Sequence, residues 1–222
     1  MQVVLLHALP FDGSMWDGVR TLLDAAVLAP TLYDLGDSIE EWAAAVLDLT
    51  EARPLVVVGN SVGGSCALEI ARAAPDRVHT LMLVGAKAGV RPEPALRDEA
   101  LSLLATGGMD AAWERYWRPL LSASASAAMV AEARRSALAQ DPVAVARGVR
   151  AFHDRRDLTE VVDGWDGPLV VVSGEHDRTP PVHVTRALAE GPRRAFHLVD
   201  GCGHYVPLER PDVVADLIRG LG

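Results

Sequence analysis

The sequence predicts an α/β protein: about six mostly parallel strands, helices on both faces of the sheet, and an all-helical insertion. Three observations carry this. Short aliphatic runs alternate with helical segments at intervals that suit crossover connections between parallel strands. One run, Leu55-Val56-Val57-Val58, is apolar at every position, as a strand buried on both faces is. The alternation then stops between about residues 87 and 163, where only Ala-rich helical segments occur.

Taken in order, Val3 to Leu6 reads as the first strand, running into the turn-rich loop His7-Ala8-Leu9-Pro10-Phe11-Asp12-Gly13. Trp16, Val19, Leu22 and Leu23 predict a helix through about Ala26. Leu28 to Leu35 predicts a second strand, at an edge because Pro30 has no N–H to donate. Ser38, with Glu41 three residues on, predicts the start of a helix that continues to about Ala52.

The stretch Leu55 to Leu68 is the most informative. Pro54 bounds a β-branched strand that ends in Gly59-Asn60-Ser61-Val62-Gly63, and a helical pattern begins at once. Strand, sharp turn and helix around G-x-S-x-G make a nucleophile elbow. Such a turn strains the serine backbone, so its neighbours carry little side chain. The free N–H groups and positive dipole end of the helix point at the same spot.

Arg77 to Val84 predicts the next strand, closed by Gly85. Pro92, Pro94, Gly107-Gly108, Pro119 and Pro142 then punctuate the helical region, in which Trp113, Tyr116, Trp117, Leu120 and Leu121 recur at helical spacing. This reads as a cap over the strand ends. Strands return at Pro168 to Ser173 and Arg194 to Val199, with helices at Pro181 to Ala189 and Pro211 to Leu221. One domain, 1–222, is expected, with its core in 1–86 and 164–222 and a cap at about 87–163.

With 222 residues, half of them apolar, the chain can bury a substantial core. A formal charge of −9 argues against nucleic acid or anionic membrane as partners. No run approaches the roughly 20 apolar residues of a membrane span. No signal peptide is read at the N-terminus, and Cys66 and Cys202 show neither metal nor redox spacing, so free thiols and a cytoplasmic location are expected. Phosphate-loop, Rossmann, metal and haem motifs are not found.

The elbow, the loop after the first strand, Gly174-Glu175-His176-Asp177 and Gly201-Cys202-Gly203-His204 together resemble the α/β-hydrolase superfamily over nearly the whole chain. The resemblance implies a triad in the order Ser61, Asp177, His204. Ser61 would be the nucleophile, His204 its base, and Asp177 the group that orients the imidazole. Glu175 and Asp200 are rival acids. Some members carry the acid after the strand that follows the elbow, but here that position reads Gly85-Ala86-Lys87. The later Glu209-Arg210-Pro211 also matches the family's histidine loop.

By the same resemblance the oxyanion hole takes backbone N–H groups from Val62 and Leu9, with Phe11 an alternative to Leu9. The loop opens His7-Ala8 where the family has His-Gly, and the customary leading strand pair is absent, which leaves about six strands, all parallel. Ser65 replaces the arginine typical of the menaquinone-forming branch, and Ser61 replaces the aspartate nucleophile of dehalogenases and epoxide hydrolases. Phe11 and the cap aromatics Trp113, Tyr116 and Trp117 are candidate pocket residues, although at helical spacing the cap aromatics serve at least equally to pack the cap against the body. The implied activity needs no cofactor or metal. It is hydrolysis of a small to medium, fairly apolar carboxylic ester, lactone or thioester, a small-molecule substrate. The alternatives are C–C bond cleavage or a lyase-type elimination by the same triad, or ligand binding without catalysis.

Overall fold

The computed structural model describes residues 1–221; Gly222, included in the domain read from sequence, lies outside them. Six strands form a single sheet: β1 (Gln2–Leu6), β2 (Val27–Leu28), β3 (Leu55–Asn60), β4 (Val78–Val84), β5 (Leu169–Gly174) and β6 (Arg194–Val199). Their order is β2-β1-β3-β4-β5-β6, and every pair is parallel. β1, β3 and β5 are buried at every position, which requires cover on both faces and explains their uninterrupted apolar sequences.

The helices are α1 (Asp17–Arg20), α2 (Ile39–Leu49), α3 (Val62–Ala73), α4 (Pro94–Ala112), α5 (Ala127–Leu138), α6 (Pro142–Asp154), α7 (Thr159–Asp163), α8 (Val182–Ala187), α9 (Val206–Glu209) and α10 (Pro211–Arg219). α2 packs against α3, and α1 against α10. The segment between β4 and β5 is helical, as expected, and includes a π-turn at Trp113–Trp117. Gly108 takes φ +65° and kinks α4, so the glycine pair does interrupt that helix.

Ser38 caps α2 as anticipated, accepting a hydrogen bond from the Glu41 N–H at 3.2 Å. The Glu41 carboxylate reaches back one residue further than a capping box requires, to the Asp37 N–H at 2.7 Å.

Two expectations near the N-terminus need correction. The helix after β1 ends at Arg20, with Leu22 left exposed and Leu23 packed against the core from outside any helix. The second strand is Val27–Leu28 alone, at the edge of the sheet. Pro30 cannot continue the ladder, and the Leu32 N–H donates instead to His7 Nε2 at 2.8 Å, drawing the chain into a short 3₁₀ turn. The short helix α9 carries no signal of its own in the sequence.

The chain runs from β1 to β2 on one side, then returns to place β3 on the other. The crevice beyond the carboxyl ends of β1 and β3 is therefore the topological switch point, where open α/β sheets bind their ligands.

Candidate active site

At the end of β3 the elbow takes the strained shape its sequence implies: Ser61 has φ +56° and ψ −117°. The chain can pass this close to β1 because Gly63 has no Cβ; one placed there would sit 2.2 Å from the Leu6 carbonyl oxygen. The Ser61 N–H donates to the Val84 carbonyl at 3.0 Å, tying the turn to β4. Asn60, fully buried, donates from Nδ2 to the same carbonyl at 2.9 Å and to the His204 carbonyl at 3.3 Å. One amide side chain thus bridges the serine turn and the histidine loop.

His204 and Asp177 meet in the interior, Nδ1 to Oδ2 at 2.9 Å, with side chains almost wholly removed from solvent. Because Nδ1 faces a carboxylate, it carries the proton, and Nε2 is the ring's basic nitrogen. The other oxygen, Asp177 Oδ1, accepts the Thr179 N–H at 2.8 Å. The rival acids lie elsewhere: Glu175 is exposed and accepts the Gly201 N–H at 2.8 Å, and Asp200 is exposed. Gly85 sits beneath the pair with φ +52°. A Cβ there would come within 2.9 Å of both Asp177 Oδ2 and His204 Nδ1. Ser61 and His204 line one cavity, and no hydrogen bond joins their side chains among the described residues. Such contacts tighten when substrate occupies a site.

The loop after β1 is held from within. His7 is fully buried; its Nε2 accepts from Leu32, so Nδ1 carries the proton and donates to the Ala8 carbonyl at 3.2 Å. Burial drives its pKa down to about 4, so the ring is neutral at pH 7. The Phe11 N–H is spent on the Ala8 carbonyl at 2.9 Å, which leaves Leu9 as the loop's candidate oxyanion donor. Leu9 lines the cavity, and its carbonyl accepts the Tyr205 hydroxyl at 2.9 Å. Val62, the second candidate, is the first residue of α3, where an N–H has no intrahelical partner.

A cavity of about 240 Å³ opens over these groups. Tyr116 and Trp117 line it. Phe11 and Trp113 do not: both are fully buried and stack edge to face at 6.3 Å, joining the loop to the insertion as core. The wall is instead built mainly by Leu96, Ala100, Leu120, Val149 and Phe152, with Lys87 and His153 among them.

Sequence reading missed Asn60, Gly85, Tyr205 and Glu209 as supports of this site. Asn60 had a signal, a polar residue ending an otherwise apolar buried strand. Glu209 had one too, the Glu209-Arg210-Pro211 match to the family's histidine loop; its carboxylate accepts the N–H groups of Gly203 at 3.1 Å and Ser122 at 3.2 Å, pinning the histidine loop to the insertion. Among the described residues no group of His, Cys, Asp and Glu is placed to hold a metal ion. Both cysteines are buried and free.

Residues 3–217 match the model of the Alpha/beta hydrolase family. The pimeloyl-(acyl-carrier protein) methyl ester esterase of Aromatoleum aromaticum is 28% identical, the match covering 98% of each chain. Lipase LipV of Mycobacterium tuberculosis is 30% identical over 98% of this chain and 92% of its own. Among solved structures, a malate-bound thermophilic esterase from Thermogutta terrifontis superposes with a TM-score of 0.90 at 26% identity, over 99% of this chain and 88% of that one. An enol-lactonase from Burkholderia xenovorans LB400, at 22% identity, shares the fold with a TM-score of 0.85, over 99% of this chain and 90% of that one.

Proposed function

The chain belongs to the alpha/beta hydrolase family, and from that premise we propose that it is a serine hydrolase acting on a small to medium carboxylic ester, lactone or thioester with an apolar body. One observation carries the reading: the buried 2.9 Å contact between Asp177 and His204 lies at the same cavity wall as the strained Ser61.

Ser61 Oγ attacks the carbonyl carbon while His204 Nε2 takes its proton, and Asp177 holds the imidazolium that forms. The carbonyl oxygen gains negative charge and is met by the Leu9 and Val62 N–H groups, one just beyond the end of each strand beside the switch point. The tetrahedral centre collapses; His204 returns the proton to the leaving alcohol or thiol, and an acyl-Ser61 remains. Water, deprotonated by His204, then releases the acid and restores Ser61. The support for ester chemistry comes from the esterase and lipase relatives, and the mostly apolar wall suits an apolar acyl group. Residues 87–163 would form the cap that sets which acyl groups enter.

The test is a p-nitrophenyl series from acetate to octanoate, run beside fluorophosphonate labelling. Turnover with labelling confined to Ser61 supports the proposal. A labelled Ser61 without turnover of any chain length would redirect it to C–C cleavage or elimination, and no labelling would leave ligand binding alone.

A further inference from the structure

We propose that Lys87 anchors a carboxylate carried on the acyl part of the substrate, so that the site selects esters of acids bearing a second acid group at the far end of an apolar chain. This deepens the hydrolase reading and rests on it.

Of the 21 basic residues, Lys87 is the sole lysine; the rest are arginines. Many arginines pair with neighbouring carboxylates on the surface, as Arg20 does with Asp17, Arg97 with Asp154 and Arg115 with Glu99. Lys87 stands two residues beyond Gly85, in the wall of the cavity that holds Ser61 and His204. It forms no ion pair among the described residues, and its ammonium lies 5.8 Å from the centre of the Phe152 ring. Partial burial, reinforced by Arg155 and Arg91 and opposed by Glu93, holds its pKa below the ordinary lysine range. The cavity wall thus bears a half-buried positive charge with no carboxylate paired to it among the described residues, and an incoming anion offsets the cost of its partial burial.

The neighbours narrow the anion's chemistry. Arg155 is already engaged, its guanidinium bonded to the Phe152 and Gly89 carbonyls and stacked 4.0 Å from the Phe152 ring. His153, kept neutral at pH 7 by burial, contributes at most one N–H. One ammonium in a wall of aliphatic and aromatic side chains suits a single carboxylate, whereas a phosphate dianion calls for a denser set of donors.

The test compares mono-p-nitrophenyl adipate with p-nitrophenyl hexanoate, esters of equal chain length that differ in the terminal acid. Lys87→Met is expected to lower the ratio of their kcat/KM values by about tenfold or more, with part of the ratio restored in Lys87→Arg. A ratio that stays within twofold of the unsubstituted protein overturns the proposal. A second readout needs no turnover. Reductive ¹³C-methylation labels the amines, which here are Lys87 and the N-terminus, and adipate should shift the Lys87 resonance saturably. The absence of such a shift also overturns the proposal. Should the unsubstituted protein hydrolyse no ester, the hydrolase reading fails and this titration still decides the anion site.

Discussion

Ser61 is held at φ +56° by its turn, and a hydroxyl so placed is useful only if a base can reach it. On the proposed reading Ser61→Ala and His204→Ala each lower ester turnover by roughly 10⁴-fold or more, with unchanged circular dichroism melts. Asp177→Asn should do nearly as much, because it spoils the imidazole tautomer; retention of most activity there would assign the acid elsewhere. His7 affects stability. It stays neutral when folded, with a pKa lowered to about 4, while in the unfolded chain it titrates near the ordinary value of 6.5. Between those values the unfolded state binds the extra proton, so its contribution is whole above about pH 6.5 and is lost as the pH falls toward 4. The loss is about 3 kcal/mol. Urea melts at pH 7 and pH 4.5 should show it, with a smaller difference in His7→Gln. Candidate Ser61 was legible from its strand–turn–helix context, and candidates Asp177 and His204 from the resemblance of the loops that carry them to those of the family. Lys87 and Phe152 were not, because nothing local marks a side chain as facing a cavity.

Each element end has a job that its interior does not. β3 ends in the elbow, β4 leads to Gly85, β5 to Asp177 and β6 to His204, so one edge of the sheet collects the candidate catalytic groups. Gly85→Ala should lower kcat without unfolding the sheet, because its Cβ would press on the Asp177–His204 pair and its φ of +52° disfavours alanine. A variant with unchanged kcat would show that the pair tolerates displacement. The elbow's strain has a measurable side too: Ser61→Gly should melt higher than Ser61→Ala, since glycine accepts the positive φ, by about 1 kcal/mol. Strands were read well wherever burial on both faces makes every position apolar. The segment after α1 was read poorly, since its apolar residues follow a helical rhythm without a helix.

The insertion and the body of the molecule meet at the histidine loop. His204 N–H donates to the Leu120 carbonyl at 2.8 Å, Ser124 Oγ to the Gly201 carbonyl at 2.6 Å, and Glu209 grips Gly203 and Ser122 together. A shift in the insertion is therefore expected to move the histidine loop. Glu209→Ala strands two N–H groups and should cost about 1.5–3 kcal/mol of stability while lowering kcat. Glu209→Gln, which keeps one acceptor, should recover part of both. A chemical melt together with hydrolysis of one p-nitrophenyl ester reads both quantities.

The chain order of strands and the elbow follow from local rules, apolar period and turn chemistry, while the rest of the candidate triad was read from the resemblance of two loops to those of the family. These rules act over a few residues and so can be read along the chain. Which aromatics face a cavity follows from none of them, as Phe11 and Trp113 in the core and Phe152 in the wall make plain. Nor does the joining of Asn60 to the carbonyl of His204, 144 residues away. Those outcomes depend on how separate elements pack, where a helix rotated by one residue exchanges a lining side chain for a buried one.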